Sequence, residues 1–237
     1  MRERDYPAPD SRRVQQMFAG IAHRYDFLNH FLSLSVDRYW RNMAAVKVRE
    51  LVGPSPAACL DLCSGTGDLA IALHRSLNAK IVATDFCHPM LTRANRKFAG
   101  RGIHVVEADA LELPFPNASF DAVSVAFGVR NLEDPYRGFC EIHRVLKPGG
   151  AAVILEFSKP VVPVFDHVFN AYFRAILPFL GRIISGDSSA YQYLPASVRV
   201  FPDQEHLVEL MRKAEFRETR YKNLTGGIAA LHWGWTG

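Results

Sequence analysis

The first fifth of the chain has the spacing of apolar residues that helices require. Over residues 11–52 the apolar positions recur every three or four residues, which predicts helices. The second of these helices is expected over about 37–51, with Asp37 as its N-cap. A glycine- and proline-containing segment, 53–56, then ends the helical region. We therefore predict N-terminal helices after a disordered lead over residues 1–10.

Beyond this region, short apolar runs alternate with helical patterns. The runs predict five strands, at about 59–62, 80–85, 103–108, 120–127 and 151–157. The intervening helices are expected at about 68–73, 89–98 and 134–146, and the last is stopped by the proline and glycines of 147–150. Because the fourth run is nearly all apolar, we expect it to be a central strand. This alternation predicts an α/β fold with a mostly parallel, doubly wound sheet.

The C-terminal region departs from this alternation. Segments at about 216–222 and 227–233 are strand-like, and the polar residues 223–226 between them predict a hairpin with an antiparallel edge. The sheet would then have seven strands. Between the fifth strand and the hairpin we expect a helical insert over 161–198, within a single domain that spans 11–237.

The loop after the first predicted strand carries a glycine pattern. Gly65 and Gly67 let the backbone turn sharply and approach a ligand, and with Ala70 they match the dinucleotide fingerprint G-x-G-x-x-G/A. Asp61 before the turn and Asp68 after it would repel a diphosphate by on the order of several kcal/mol. They would attract a ligand that carries a sulfonium and an ammonium. We therefore predict that Asp61, Gly65 and Gly67 bind S-adenosylmethionine (SAM) rather than NAD.

Acidic residues also follow the next two predicted strands. Asp85 lies 18 residues past Gly67, about where a carboxylate takes the ribose hydroxyls, with a helix cap as the alternative. Asp109 is expected near the adenine amino group, with a plain turn residue as the alternative. Asp61 could also orient the loop by accepting backbone amides. For Cys63 we favour a small packing residue without chemistry.

Composition and charge limit the classes of partner. The formal charge of +4 over 237 residues is too small to predict nucleic-acid binding, but it permits weak attraction to an acidic membrane surface. The four cysteines lack zinc-site or disulfide spacing, which favours a reducing cytoplasm. The N-terminus is charged and proline-bearing, so we expect no signal peptide, and no apolar run reaches the length of a transmembrane helix.

Several motifs resemble those of class I SAM-dependent methyltransferases. The widely shared ones are Asp61-x-Cys63-x-Gly65-x-Gly67, Leu-Pro-Phe-Pro at 113–116 and Arg-Val-Leu-Lys-Pro-Gly-Gly at 144–150. More specific are Phe-Gly-Val-Arg-Asn at 127–131, Leu-Glu-Phe-Ser-Lys-Pro at 155–160, Tyr-Gln-Tyr-Leu-Pro-Ala-Ser at 191–197 and Asn-Leu-Thr-Gly-Gly-Ile-Ala-Ala-Leu-His at 223–232. From about Val14 to the C-terminus, these resemble the quinone-biosynthesis C-methyltransferases, which methylate demethylmenaquinol or a methoxy-polyprenyl benzoquinol. The resemblance implies their Rossmann-like class I methyltransferase fold.

The resemblance also implies site residues and a substrate. Thr66, Asp85 and the pair Asp109-Ala110 match positions that bind SAM in the family. Some members of the ubiquinone branch have a serine where this chain has Ala126. This difference, the short N-terminus and the loop sequence favour the menaquinone branch. Demethylmenaquinol is therefore the expected acceptor, and 2-methoxy-6-polyprenyl-1,4-benzoquinol is the alternative.

Arg130 and Asn131 are the expected catalytic residues, because they follow the fourth strand at the edge where acceptors bind in open α/β sheets. Methylation of a quinol ring carbon needs no metal, but it needs the reduced ring with a partly deprotonated hydroxyl. Arg130 stays protonated in almost any site, so we expect it to stabilise the phenolate, with water relaying the proton. The alternative is a salt bridge from Arg130 to Glu133, Asp134 or Glu156.

Aromatic residues closer to the C-terminus are candidates for the acceptor pocket. Tyr191 and Tyr193 would shape it, with plain packing as the alternative. Phe169 and Phe173 belong to the segment 161–184, which is too apolar for a solvated linker and too broken by prolines for a membrane span. We expect this segment and the N-terminal helices to form a lid that binds the polyprenyl tail and touches the membrane. The alternative is an extra helix packed on the sheet.

The sequence is also compatible with other functions. They are a nicotinamide oxidoreductase of the same fold, an inactive methyltransferase-like scaffold, and an O- or N-methyltransferase that acts on a soluble small molecule. The spacing of His23, His143 and His232 does not favour any one of them as a base. We expect a polyprenyl quinol as substrate and a peripheral membrane contact, and a homodimer stays open.

Overall fold

The computed structural model describes residues 9–162 and 189–237. Most of the predicted lead and most of the apolar segment, including Phe169 and Phe173, lie outside the described residues. In the described ranges seven strands form one sheet: β1 (Ala58–Leu62), β2 (Lys80–Asp85), β3 (His104–Glu107), β4 (Phe120–Ala126), β5 (Leu146–Phe157), β6 (Arg217–Leu224) and β7 (Ala229–Trp235).

The strand order is β3-β2-β1-β4-β5-β7-β6. Strands β1 to β5 pair in parallel, whereas β7 is antiparallel to both of its neighbours, β5 and β6. Six strands therefore run in one direction and β7 runs in the other. The predicted mostly parallel, doubly wound sheet with an antiparallel C-terminal hairpin is confirmed, and β4 lies at its centre as its apolar sequence predicts.

Helices cover both faces of the sheet. The described ones are α1 (Ser11–Ile21), α2 (Tyr25–Leu32), α3 (Val36–Val52), α4 (Asp68–Ser76), α5 (His88–Lys97), α6 (Pro135–Val145), α7 (Ser189–Val200) and α8 (Gln204–Lys213). Side chains of α3, α4 and α5 fill the core on one face, and those of α6 and α8 fill the core on the other. None of the helices within the described ranges is long and apolar enough to cross a membrane.

Asp37 is not the N-cap of α3, so that prediction is wrong. The helix begins at Val36, and Ser35 precedes it with φ at 62°. The buried Asp37 carboxylate instead accepts the Ser33 hydroxyl at 2.7 Å and forms an ion pair with Arg41 one turn along the helix. Burial alone would raise the Asp37 pKa, but these partners outweigh it and the pKa is lowered.

The start of β5 and the turn of the C-terminal hairpin also differ from the prediction. Strand β5 begins at Leu146 rather than at 151, because Leu146 already pairs with Phe120 before the register shifts. The hairpin turn is the short 3₁₀ helix Thr225–Gly227 rather than 223–226, since β6 is longer than the sequence predicts. Gly226 in this turn has φ at 66°, a left-handed conformation that glycine adopts at no steric cost.

Candidate active site

A cleft of about 910 Å³, measured to its open mouth, lies at the carboxyl ends of β1 to β4. The loops that follow these four strands line it, together with Ser11, Phe18, Tyr25 and Arg41 from the three N-terminal helices. Doubly wound sheets bind their ligands at this edge, so the cleft is the candidate active site.

The loop between β1 and α4 holds the two glycines that the sequence singles out. Gly65 lines the cleft with φ at 55°, and its amide donates to Asp85 Oδ2 at 2.8 Å. Gly67 does not line the cleft. It has φ at 86°, and a Cβ there would lie 2.2 Å from Cζ of Phe98. Gly65 thus presents its backbone to the cleft, whereas Gly67 lets the start of α4 pack closely against Phe98.

Asp61 borders the cleft from the end of β1, and its exposed fraction is 0%. Neither carboxylate oxygen has a hydrogen-bond partner among the described residues. Burial raises its pKa well above the ordinary value, although the Ala70 amide and the Arg41 guanidinium oppose the rise. Burial keeps the ionised form of Asp61 unfavourable until a positive charge lies beside it. Asp61 is therefore suited to a cationic ligand.

Asp85 lies at the end of β2 and also borders the cleft. Its Oδ2 accepts the Gly65 amide, and its Oδ1 accepts the Cys87 amide at 2.9 Å. Burial raises its pKa to about 6, although the backbone amides act in the opposite direction. Cys87 is the N-cap of α5 and the helix has no side-chain capping bond, so Asp85 holds the backbone of the turn before the helix rather than capping it.

The remaining predicted cofactor residues meet at the same cleft. Asp109 is exposed, and its Oδ1 accepts the Leu111 amide at 2.9 Å, as a turn residue does. Ala110 is buried beside it. Thr66 is buried, and its hydroxyl donates to the Asp26 carboxylate of α2. Of the predicted cofactor residues, only Gly67 lies outside the cleft wall, and the binding roles of the others stay predictions.

Cys63 packs against the loop after β4. A Cβ at Gly128 would lie 2.4 Å from Cβ and 3.0 Å from Sγ of Cys63, so only glycine fits there. Burial raises the pKa of the Cys63 thiol well above its ordinary value. The thiol therefore stays protonated and unreactive, in agreement with the packing role predicted for it.

The cleft is lined by more negative than positive side chains. In the described part of the chain its carboxylates are Asp61, Asp68, Asp85, Asp109 and Glu133, and its one guanidinium is that of Arg41. No motif of the sequence predicts Arg41 as a site residue. The Arg41 guanidinium is buried, pairs with Asp37 and lies 5.2 Å from the centre of the Phe127 ring. The one signal for it in the sequence is its spacing of one helical turn from Asp37.

The α2 helix is fixed to the β1–α4 loop region by ion pairs. Lys97 Nζ lies 2.9 Å from Asp26 Oδ2 and 2.5 Å from Asp68 Oδ1. His30 lies between two carboxylates, 2.9 Å from Asp37 and 3.6 Å from Asp68. His30, Asp37 and Asp68 have the spacing of a metal site, but cationic side chains already pair with both carboxylates. We therefore interpret the cluster as a structural contact between α2 and the loop.

Arg130 does not line the cleft. Its buried guanidinium lies 2.7 Å from Glu156 Oε1 and donates to the Phe127 carbonyl. The structure therefore shows the salt-bridge alternative, with Glu156 as the partner. The charge still acts on the cleft: burial raises the pKa of Tyr25 on the cleft wall, and Arg130 is among the charges that oppose this rise.

Asn131 lines the cleft and connects it to α7. Its Oδ1 accepts the Tyr193 hydroxyl at 3.0 Å, and its Nδ2 donates to the Phe127 carbonyl at 3.3 Å. Burial raises the pKa of Tyr193, and the charge of Arg130 opposes the rise. The backbone of Tyr191 belongs to the same helix, but its side chain is outside the described part of the structure. Asn131 and Tyr193 are thus brought together, and their predicted roles, catalysis for Asn131 and shaping of the acceptor pocket for Tyr193, stay predictions.

The candidate histidines lie away from the cleft. His232 is buried in β7, its Nε2 is 3.2 Å from the Gln204 carbonyl oxygen, and burial lowers its pKa to about 4. His143 packs edge-on against Phe216, with 5.3 Å between ring centres. His23 is exposed and does not line the cleft. None of these three side chains is placed to act on a ligand in the cleft.

This chain is similar to proteins of known family and structure. The model of the ubiE/COQ5 methyltransferase family matches residues 8–236. A Deinococcus radiodurans protein named demethylmenaquinone methyltransferase is 49% identical over 227 residues, which cover 94% of this chain and 91% of that protein. A Thermus thermophilus protein of the same name is 48% identical over 221 residues, covering 92% and 99%. The crystal structure of the 4+2 cyclase SpnF shares the fold, with a TM-score of 0.69 and 18% identity over 97% of both chains.

Proposed function

Because the chain belongs to the ubiE/COQ5 methyltransferase family, we propose that it transfers a methyl group from SAM to a ring carbon of demethylmenaquinol. The names of the two relatives support the choice of acceptor. The observation that carries the choice of methyl donor is the buried Asp61 carboxylate, whose oxygens have no partner among the described residues. A ligand with an ammonium and a sulfonium would supply the missing positive charge.

SAM fits the donor set of this cleft. Asp61 would hold its cationic methionine portion, Asp85 would accept its ribose hydroxyls, and Asp109 with Ala110 would contact its adenine. The backbone of Gly65, without a Cβ, leaves room for it at the loop. SAM supplies an electrophilic methyl group on a positively charged sulfur. The five carboxylates of the cleft favour that charge and disfavour a diphosphate.

The acceptor would lie at the Asn131 end of the cleft. Asn131, held by the Tyr193 hydroxyl and by the Phe127 carbonyl, would orient a quinol hydroxyl. The positive charge of Arg130 behind it would lower the pKa of that hydroxyl, so that negative charge reaches the adjacent ring carbon. In well-oriented systems, holding the reacting atoms in line lowers the reaction barrier by about 7–11 kcal/mol, and the same applies to the ring carbon and the methyl group. Since the phenolate already makes the carbon nucleophilic, we propose that the transfer needs no metal.

Two assays test this function. Titration of SAM into the wild type and into Asp61→Asn should show binding that is weaker in the variant by about 1.5–3 kcal/mol, the value of hydrogen bonds to a charged group. Asn keeps the size of the side chain but removes its charge. Glu209→Gln, at an exposed carboxylate of α8 that does not line the cleft, is the control. Equal affinity of wild type and Asp61→Asn would remove the central support for SAM.

The second assay measures turnover with labelled SAM. Reduced naphthoquinol should be methylated on carbon, and EDTA should leave the rate unchanged. Faster methylation of a methoxy-benzoquinol would make that ring the substrate, and label on oxygen or nitrogen of a soluble acceptor would replace the proposal altogether.

We also propose that the protein meets its acceptor at the inner face of the cytoplasmic membrane. A polyprenyl quinol resides in the bilayer because its tail is pure hydrocarbon. The four free cysteines, Cys59, Cys63, Cys87 and Cys140, support a reducing compartment. The predicted contribution of Phe169 and Phe173 to tail binding belongs to this proposal.

A further inference from the structure

Helix α2 carries an apolar patch on its surface. The patch consists of Phe27, Phe31 and Leu34, whose exposed fractions are 59%, 48% and 85%. The two phenylalanine rings are one helical turn apart and stack, with 5.7 Å between centres and 12° between planes. Large apolar side chains grouped in this way mark an interaction surface rather than the scattered exposure that is normal for a protein.

The turn after α2 holds the most exposed of these side chains in an unfavourable conformation. Leu34 has φ at 51° and the next residue, Ser35, has φ at 62°. Left-handed backbone at residues other than glycine costs on the order of 1–3 kcal/mol each. The chain therefore keeps a leucine pointing to solvent at a cost in stability, which a partner for that leucine would explain.

The charges around the patch define the kind of partner. Over residues 11–49 the chain has two carboxylates, Asp26 and Asp37, and both are turned inward to ion pairs with Lys97 and Arg41. The exposed residues next to the patch are instead Arg24, Arg38 and Tyr39. Exposed phenylalanines beside an exposed arginine, with no exposed carboxylate among residues 11–49, match the interface of a bilayer that contains anionic lipids.

We propose that the α2 patch, with Arg38, docks the protein on an anionic phospholipid bilayer. The inference rests on the proposed function, because an acceptor with a polyprenyl tail makes such docking useful. The other face of α2 contacts the cofactor loop through Asp26, which accepts the Thr66 hydroxyl. A helix is about 10 Å wide, so the docked patch brings the cleft within about one helix diameter of the lipid surface.

Vesicle flotation tests the docking. The wild type should float with phosphatidylcholine vesicles that contain phosphatidylglycerol, and less with phosphatidylcholine alone. Phe27→Ser with Phe31→Ser should lower the bound fraction about tenfold or more, because burying a phenylalanine yields ~1.5–3 kcal/mol. Val200→Ser, at a valine of 45% exposure on α7, is the matched control and should float like the wild type.

A second pair of variants tests whether positive charge contributes to vesicle binding. Arg38→Glu should reduce flotation with the anionic vesicles, whereas Arg96→Glu, at an exposed arginine of α5, should not. The Phe27/Phe31 variant should keep wild-type turnover on a tail-less naphthoquinol in solution and show a raised KM for a vesicle-borne long-tailed acceptor.

The outcomes separate this inference from the proposed function. Equal flotation of the wild type and the Phe27/Phe31 variant, or no flotation of the wild type, overturns the docking surface. It is also overturned if sedimentation shows that the variant converts a dimer to a monomer while flotation is unchanged, since the patch is then a contact between two copies. If flotation behaves as expected but no quinol is methylated, the docking surface stands and the proposed function fails.

Discussion

The Arg130 guanidinium and the Glu156 carboxylate form a buried ion pair, with 2.7 Å between Nη1 and Oε1. The same carboxylate accepts the Arg130 amide at 3.2 Å and the Phe157 amide at 2.9 Å. Glu156, at the end of β5, thus holds both the side chain and the backbone of the loop after β4. Because Asn131 belongs to that loop, the ion pair positions a residue of the cleft wall.

Removal of Arg130 should affect folding and turnover together. Arg130→Ala leaves the Glu156 charge buried and unpaired, so we expect the free energy of unfolding to fall by about 3–5 kcal/mol. Turnover at saturating SAM should fall by about 10²–10³, as with the loss of one group that stabilises transition-state charge. Urea unfolding and a methyl-transfer assay measure the two effects.

A double variant separates these two roles. Arg130→Met with Glu156→Gln is neutral and keeps one oxygen acceptor for the two backbone donors, which use different oxygens of Glu156, so we expect part of the lost stability to return. Turnover should stay low, because the positive charge near the cleft is still missing. If the double variant regains turnover as well, Arg130 has only a structural role.

The sequence predicts the sheet and the glycine turn after β1 well, because their signals are local. Apolar runs, the glycines of the loop and the acids that follow each strand can be read without knowledge of distant contacts. Gly67 is an exception. The glycine pattern predicts that it contacts a ligand, but glycine is required there because a side chain would clash with Phe98, which lies 31 residues further along the chain. Local sequence does not show which side chain a glycine must avoid.

The charged residues show the same limit. Asp37 has the sequence position of an N-cap, but Ser33 and Arg41 bind its carboxylate inside the first turn. Arg130 has the position of a catalytic residue, and its partner Glu156 comes from another strand. Arg41 reaches the cleft only because α3 packs across the sheet. The pairing of buried charges depends on tertiary packing, which periodicity does not encode.

Gly128 should not tolerate a side chain. An added Cβ would lie 2.4 Å from Cβ of Cys63, so we expect Gly128→Ala to lower the free energy of unfolding by about 1–3 kcal/mol. Combination with Cys63→Gly should restore most of the loss. Gly20→Ala, where the new Cβ meets no atom within 4 Å, is the control and should not destabilise the protein. Equal stability of Gly128→Ala and the control in urea unfolding would contradict the packing argument.

Asp85 should make stability depend on pH. Its folded-state pKa of about 6 lies above the ordinary value of 3.8. The folded state therefore binds the proton more tightly, and this contribution is complete below about pH 4 and is lost as the pH rises through 6. Relative to Asp85→Asn, the wild type should lose about 3 kcal/mol of unfolding free energy between about pH 4 and pH 8. Parallel stability curves for the two proteins would show that its pKa is not raised.

SAM affinity should depend on pH in the opposite direction. Ribose hydroxyls donate to the ionised Asp85 carboxylate, so ligand binding should lower its pKa and affinity should rise as the pH rises through 6. In Asp85→Asn the affinity should be lower and flat across this range. Titration calorimetry from pH 5 to pH 8 measures both. A wild-type affinity without a change near pH 6 would mean that Asp85 only holds the Gly65 and Cys87 amides.

Tyr193 should affect the acceptor and not the methyl donor. Its hydroxyl donates to Asn131 Oδ1 at 3.0 Å, and Tyr193→Phe removes this bond while keeping the ring. One hydrogen bond contributes about 0.5–1.5 kcal/mol, so we expect turnover to fall about three- to tenfold while the Kd for SAM is unchanged. Tyr221→Phe is the matched control, because its hydroxyl donates to Glu205 at 2.8 Å outside the cleft. Steady-state kinetics at varied quinol concentration measure the turnover, and SAM titration measures the Kd. If Tyr193→Phe and Tyr221→Phe have the same kinetics, the Tyr193 hydroxyl has no part in orienting the acceptor, and α7 contacts the cleft through packing alone.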